Sequence, residues 1–470
     1  MTKEYDVAII GAGTAGLTAR SQVAKQTDNY VIIDDGILGT TCARVGCMPS
    51  KVLIEVANTY HRRSQFEQFG IKGADKLEVD RKDVMSHVRE LRDQFTGGVK
   101  KGMQAWESHL IRKRARFMDA NTLDLGDETI QAKKIIIATG SKPIVPNSWK
   151  SYSDYLIDTD EFFELTDLPS RMAVIGLGMV GIELGQALNR LGVEVIGITL
   201  DKAVGGLTDP EIQEYAFNSF AQEMTIRLGS AEILGEEKGG LKVGCNNETW
   251  IVDKVLLTMG RRPVINDLGL ENLGIEFDQR GLPSFDPTTF QIEDLPVFIV
   301  GDVNAVRPIL HEASDEGWIA GYNAMAEEPA CFQRRTFLSI AFTEPNICMV
   351  GQSHRELAQK GEEFIIGKVS YDKQGRARIM AQNKGLVHIY GDKKDGTLLG
   401  MEMIAPHGEH LAHLMAWTMS FKKRAADILP LPFYHPVLEE ALTPAFRDIA
   451  RQSASPAPEQ KLLRCQEKPV

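Results

Sequence analysis

The chain has little of what would take it out of the class of water-soluble globular proteins. No apolar stretch in its 470 residues approaches the ~20 residues that a membrane span needs. The N-terminus shows no signal peptide, because residues 5–10 already read as the first strand of a fold, so the expected location is the cytoplasm. Long runs of lysine and arginine are missing and the net charge is −11, which argues against a nucleic-acid partner. The short clusters Arg112-Lys113-Arg114 and Lys422-Lys423-Arg424 read as solvated surface. Cysteine is scarce too, with six in the whole chain. That is too few for a disulfide scaffold, so a close pair suggests a reversible redox couple. Apolar residues, at 43%, are by contrast sufficient for about three domains, each with its own core.

Two segments repeat one theme. Val7-Ala8-Ile9-Ile10 leads into Gly11-x-Gly13-x-x-Gly16, and Met172-Ala173-Val174-Ile175 leads into Gly176-x-Gly178-x-x-Gly181. Each is an apolar strand, a tight turn and a helical pattern, the arrangement that sets a pyrophosphate on N–H groups at the positive end of a helix. The strand after the first turn ends in Asp34, 23 positions beyond Gly11, where an acid can accept hydrogen bonds from ribose hydroxyls. The same offset in the second unit lands on Thr199, so the two sites differ.

Cys42 and Cys47 follow the first turn closely. Alone, a C-x4-C spacing is compatible with buried structural cysteines or half of a metal site. Its neighbours narrow the reading. The run Gly39-Thr40-Thr41-Cys42-Ala43-Arg44-Val45-Gly46-Cys47-Met48-Pro49-Ser50-Lys51 closely resembles the signature of the pyridine nucleotide-disulfide oxidoreductases, the flavoenzymes that include dihydrolipoamide dehydrogenase, glutathione reductase and mercuric reductase. Its Pro49-Ser50-Lys51 ending is more similar to the first and third of these than to the second. Near the other end, His435-Pro436-Val437-Leu438-Glu439-Glu440 resembles the family's His-Pro-x-x-x-Glu run.

The resemblance implies an α/β protein with two Rossmann-like dinucleotide-binding domains and a C-terminal α+β dimerisation domain. Residues 1–148 and 264–336 would bind FAD, 149–263 the nicotinamide dinucleotide, and 337–452 a second subunit, with 453–470 as a flexible tail. It implies that Gly11, Gly13, Gly16, Asp34, Thr139, Gly140 and Asp302 surround FAD, with Asp302 on the ribitol chain. Gly176, Gly178, Gly181 and Thr199 would face NAD, with NADP left open because Thr199 is neither an acid nor a cation. Lys51 would approach flavin N5 and pair with Glu183. Cys47 would lie against the flavin as a thiolate and Cys42 would exchange with substrate. His435 would move the proton and Glu440 would hold its tautomer, in the other subunit's site of a homodimer. The implied substrate is a dithiol or disulfide, foremost a protein-bound lipoyl group. A mercuric-reductase-like enzyme, another disulfide reductase, or a flavin transhydrogenase or oxidase are the alternatives.

The run departs from the family pattern at Thr40, where a glycine is usual, at Ala43-Arg44, and at Val437, where threonine is common. Arg44 could favour a thiolate or an acidic substrate, or point elsewhere. His407, Glu409, His410 and His413 could gather like metal ligands, but they fall on a helix of the interface domain and are read as structural or surface groups, so no metal is expected. Cys465 is a single tail cysteine and is read as inert.

Overall fold

The computed structural model describes residues 3–455. The first unit is built on a seven-stranded sheet with the order Leu110–Ile111, Tyr30–Ile33, Lys3–Ile10, Thr129–Ile137, Thr122–Asp124, Arg116–Phe117, and with Val297–Ile299 also paired to Thr129–Ile137. Its central pairs are parallel, with Ile9 opposite both Ile32 and Ile136. Strands buried on both faces can be apolar throughout, and Tyr30–Ile33 is buried at every position. The late strand Val297–Ile299 runs parallel beside residues 135–137, so a segment far along the chain completes the first sheet. Helices Thr14–Val23 and Leu310–Met325 pack together on this unit. Gly317 and Gly321 allow the close approach, since a Cβ on either would overlap the backbone of Ala15 or Ala19.

The second unit has a five-stranded sheet in the order Thr225–Leu228, Glu194–Thr199, Arg171–Ile175, Lys254–Leu257, Leu156–Asp158, and its pairs are all parallel. The chain leaves the first unit through Ser141–Pro143 and returns through Arg261–Pro263, and these two segments pair antiparallel. The third unit is a five-stranded antiparallel sheet, Leu338–Ala341, Asn346–Gly351, Leu398–Ala405, Leu386–Asp392, Phe364–Ser370, with helices Gly408–Ser420 and Thr443–Gln452 against it. The alternating burial of Phe364–Ser370 is that of a strand with one covered face.

The fold class expected from the glycine turns and the family resemblance is therefore the one observed. Buried polar contacts anchor the third unit on the second. His388 Nδ1 lies 2.8 Å from Asp209, and Glu402 accepts from the N–H groups of Thr208 and Asp209 at 2.6 and 2.9 Å. The stretch expected to be a flexible tail starts with residues that are held, because the N–H groups of Ser453, Ala454 and Ser455 donate to the carbonyls of Ile449, Lys393 and Lys394. Cys465 lies outside the described residues. Among the described residues no helix is long and apolar enough to cross a membrane.

Candidate active site

Both glycine turns end in a helix whose first turn has no side-chain cap, at Gly13 before Thr14–Val23 and at Gly178 before Met179–Arg190. The N–H groups there are free to meet an anion. A Cβ on Gly11 would overlap the Ala138 carbonyl and one on Gly16 the Gly11 carbonyl, and the same relation holds for Gly176 with Thr258 and Gly181 with Gly176. Gly13 and Gly178 have open space where a side chain would be. The turns thus bring strand and helix close and leave bare backbone facing a ligand.

A groove of about 330 Å³ runs past Gly11, Ala12 and Gly13 to Asp34, Thr139 and Gly140. It adjoins a cavity of about 280 Å³ that holds Cys42, Cys47, Lys51, Glu183 and Asp302, and the two share Gly13, Thr41, Ala138, Gly140 and Ser141. Asp34 accepts from the N–H groups of Ala12 at 2.6 Å and Gly36 at 2.7 Å. Asp302 accepts from the Ser141 hydroxyl at 2.7 Å, and the Thr139 hydroxyl donates to the Val264 carbonyl at 2.6 Å. Bare glycine backbone, uncapped helix starts and an elongated joint cleft suit a dinucleotide with a central diphosphate, so these residues fit FAD.

Cys42 lies on the short helix Thr41–Val45, and Cys47 opens the helix Cys47–His61. Thr40 precedes them with φ 60°, a conformation that favours the glycine usual at this place and costs a threonine about 1–3 kcal/mol. Its side chain offsets part of that by accepting from the Ala43 N–H at 3.3 Å. The two free thiols share a hydrogen bond that lowers the Cys47 pKa to about 7, aided by the Lys51 charge and opposed by burial and Glu183. The same bond and burial push the Cys42 thiol well up. The proton of the pair therefore stays on Cys42 while Cys47 ionises first.

Lys51 Nζ lies 2.9 and 3.0 Å from the two carboxylate oxygens of buried Glu183, and Glu183 also accepts from the Phe342 N–H at 2.7 Å. The ammonium is 4.7 Å from the Phe342 ring centre. A charge joining the first unit to the second is thus held beside the thiols.

His435 Nδ1 is 2.9 Å from Glu440 Oε2, so the pair expected from the sequence is formed. Gln374 braces it through the Val437 carbonyl at 2.7 Å. His435 is 80% exposed, and the thiol cavity is lined by no described residue beyond Ala313. Within one chain the structure does not bring the histidine to the cysteines.

Thr199 ends its strand. Beyond it, Asp201 accepts from the Ala203 N–H and Lys202 pairs with Glu214, so both nearby charges are already engaged. His407, Glu409 and His410 bring possible ligand atoms within 4.8 Å of one another, while His413 Nδ1 donates to the Glu409 carbonyl at 2.7 Å. Both imidazoles of that trio are exposed at a helix start, where the helix dipole disfavours a cation.

Three residues in or beside the cleft were not singled out from the sequence. Ser141 and Arg261 form a chain with Asp302, with Arg261 Nε 2.9 Å from the Ser141 hydroxyl and a second nitrogen 3.0 Å from Asp160. Phe342 backs the Lys51 pair. Arg261 lies in Gly260-Arg261-Arg262-Pro263, where the chain returns to the first unit, and this Pro-bounded pair of arginines was the available signal; Phe342 had none.

A family model described as pyridine nucleotide-disulphide oxidoreductase matches residues 5–317. The chain belongs to this family. The dimerisation domain of the pyridine nucleotide-disulphide oxidoreductases matches residues 338–446. Dihydrolipoyl dehydrogenase of Thermus scotoductus is 30% identical over 459 residues, covering 96% of this chain and 98% of that protein. Its counterpart in Haloferax volcanii is 29% identical, covering 95% and 97%. Among solved structures, the Cu(II) complex of the HOCl-induced flavoprotein disulfide reductase RclA from Escherichia coli aligns with TM-score 0.80 at 22% identity, over 95% of this chain and 99% of that one, which is a likeness of fold. As a pyridine nucleotide-disulphide oxidoreductase the protein is an FAD-dependent enzyme that exchanges electrons between NAD(P) and a disulfide or dithiol.

Proposed function

We propose that the physiological substrate is a dithiol of the lipoyl class, oxidised by a homodimer with NAD as the electron acceptor. The observation that carries the chemistry is a pair of free thiols, Cys42 and Cys47, that line one cleft between two glycine-turn folds. The likeness to dihydrolipoyl dehydrogenases along nearly the whole chain supports the substrate class.

In the oxidised enzyme a substrate thiolate attacks Cys42 of the disulfide, and Cys47 leaves as a thiolate, the form its lowered pKa favours. The second substrate thiol then displaces Cys42, so the substrate leaves as a disulfide and the enzyme keeps two thiols. His435, oriented by Glu440, takes the proton of the attacking thiol. FAD, when bound, would supply the two-electron chemistry that links the thiol pair to NAD, with one proton released to solvent. Gly11, Gly13, Gly16, Asp34, Thr139, Gly140 and Asp302 hold the flavin nucleotide, Lys51 with Glu183 sets a positive charge beside it, and Gly176, Gly178, Gly181 and Thr199 face the nicotinamide nucleotide. Membership of the three sheets supports the division into 1–148 with 264–336, 149–263 and 337–452.

The homodimer follows from what one chain lacks. Its thiol cavity has no histidine of its own among the described residues, while His435 stands out from a surface that also exposes Tyr434, Phe421 and Trp417. Large exposed aromatic groups mark an interface, and the matched dimerisation domain includes all four residues.

Steady-state reduction of NAD by dihydrolipoamide tests the substrate. Robust turnover is expected, with glutathione disulfide and Hg(II) poor substrates in the reverse direction. Turnover of either of these with NADPH, and none of dihydrolipoamide, would overturn the lipoyl reading and leave the family chemistry standing.

The nucleotide preference has its own test. Thr199→Glu is expected to raise the ratio of kcat/KM for NAD over NADP, because a carboxylate holds ribose hydroxyls and repels a 2′-phosphate. Lys202→Ala should change little, since Lys202 already pairs with Glu214. A wild-type preference for NADP that Lys202→Ala erases would reverse the assignment.

A further inference from the structure

Arg44 sits between the two cysteines, and the sequence leaves open whether it serves the thiols. The structure turns it away from them. The thiol cavity is lined by Thr41, Cys42, Val45, Gly46 and Cys47 without Arg44. Arg44 lines the adjoining groove instead, with the bare backbone of Gly11 to Gly13. Positions 42 and 44 of a helix point to different sides, so one short helix faces both compartments.

The guanidinium has no counter-charge. Its Nε is buried without a hydrogen-bond partner, and among the described residues no acid pairs with it. The other cations on the groove are engaged: Lys113 bonds Asp127 and Glu128, and Arg114 faces Asp35 and Asp267. An unpaired, partly buried charge is costly, and this one opens onto a groove where the first turn of Thr14–Val23 also offers free N–H groups. Both features await the same kind of ligand, an anion with several oxygens. Arginine's planar fork suits such a group.

The geometry points to Arg44 as a clamp on the diphosphate of FAD. The assignment rests on the reading of this groove as the FAD site. The cysteine helix then has two roles, since its Cys42 side serves exchange while its Arg44 side grips the cofactor. One rigid turn positions the redox thiols relative to the bound flavin.

The test uses the purified holoenzyme. FAD release is followed by recovery of flavin fluorescence on dilution, for wild type, Arg44→Met and Arg44→Lys, and thermal unfolding is recorded before and after FAD is stripped. Arg44→Met is expected to release FAD about 10-fold faster or more, the scale of one lost charge-assisted hydrogen bond, with Arg44→Lys between it and wild type. The stripped proteins should unfold at the same temperature, because ligand stabilisation requires ligand. Release unchanged in Arg44→Met, or stripped and loaded forms weakened equally, would overturn the clamp. A wild type purified without flavin would instead sink the reading of the groove. If Arg44→Met does not fold, Arg44→Lys decides alone, by faster release or none.

Discussion

The Cys47→Ser enzyme, reduced by two electrons, is expected to show no long-wavelength absorption band, whereas wild type shows one that grows as pH rises. The sign follows from the thiol pair. The hydrogen bond from Cys42 and the charge of Lys51 lower the Cys47 pKa to about 7, so the thiolate that can stack on oxidised flavin forms as pH increases through about that value. Cys42 keeps its proton over the same range, because that bond and its burial raise its pKa. Cys42→Ser should therefore retain the band, and show it without reduction since no disulfide can form. Both variants lose turnover of disulfide substrates while nicotinamide still reduces the flavin. Absorbance titrations of the three proteins check this; a band that survives in Cys47→Ser and vanishes in Cys42→Ser would exchange the two roles.

Removal of the proposed acid/base is expected to produce the other large effect. His435→Ala is expected to slow the disulfide half-reaction by ~10²–10⁴-fold, the usual range for a lost general acid/base, with flavin reduction by the nicotinamide nearly unchanged. Rapid kinetics of each half-reaction separates the two. Because His435 is exposed and the thiol cavity of its own chain contains no described residue from the C-terminal unit, its proposed target is the thiol pair of a second subunit. Inactive Cys42→Ser and His435→Ala proteins, unfolded and reassembled together, should then regain activity in the mixed dimers. Proven mixed dimers with no recovery would put His435 in its own subunit's site, and equal losses in both half-reactions would indicate a damaged dimer.

The parts of the site that could be read directly are those built by neighbours in sequence. Gly11 to Gly16 and Gly176 to Gly181 declare their turns because the steric demand is local: side chains would collide with backbone a few residues away or on the adjoining strand. The Cys42 to Lys51 run and the His435 to Glu440 run are likewise short, and their resemblance to the family's runs implies their chemistry. Even the Lys51–Glu183 pair, 132 positions apart, was within reach, since the family resemblance implies it from the Pro49-Ser50-Lys51 ending and from a glutamate just past the second glycine turn. Thr40 shows the limit of such reading. Its departure from glycine was visible, but the φ of 60° and the compensating bond to Ala43 were not.

By itself, then, the sequence determined the two dinucleotide folds, through glycine turns that act by local backbone geometry, and the class of enzyme, through short runs that resemble those of a known family. Tertiary structure alone decided where side chains point and what they meet. It turned Arg44 from the thiol cavity to the groove beside Gly11 to Gly13, engaged Lys202 with Glu214 and Asp201 with Ala203, set Phe342 under Lys51, and left His435 facing outward. Direction and partnership depend on packing between segments far apart in the chain, and no spacing along the chain records them.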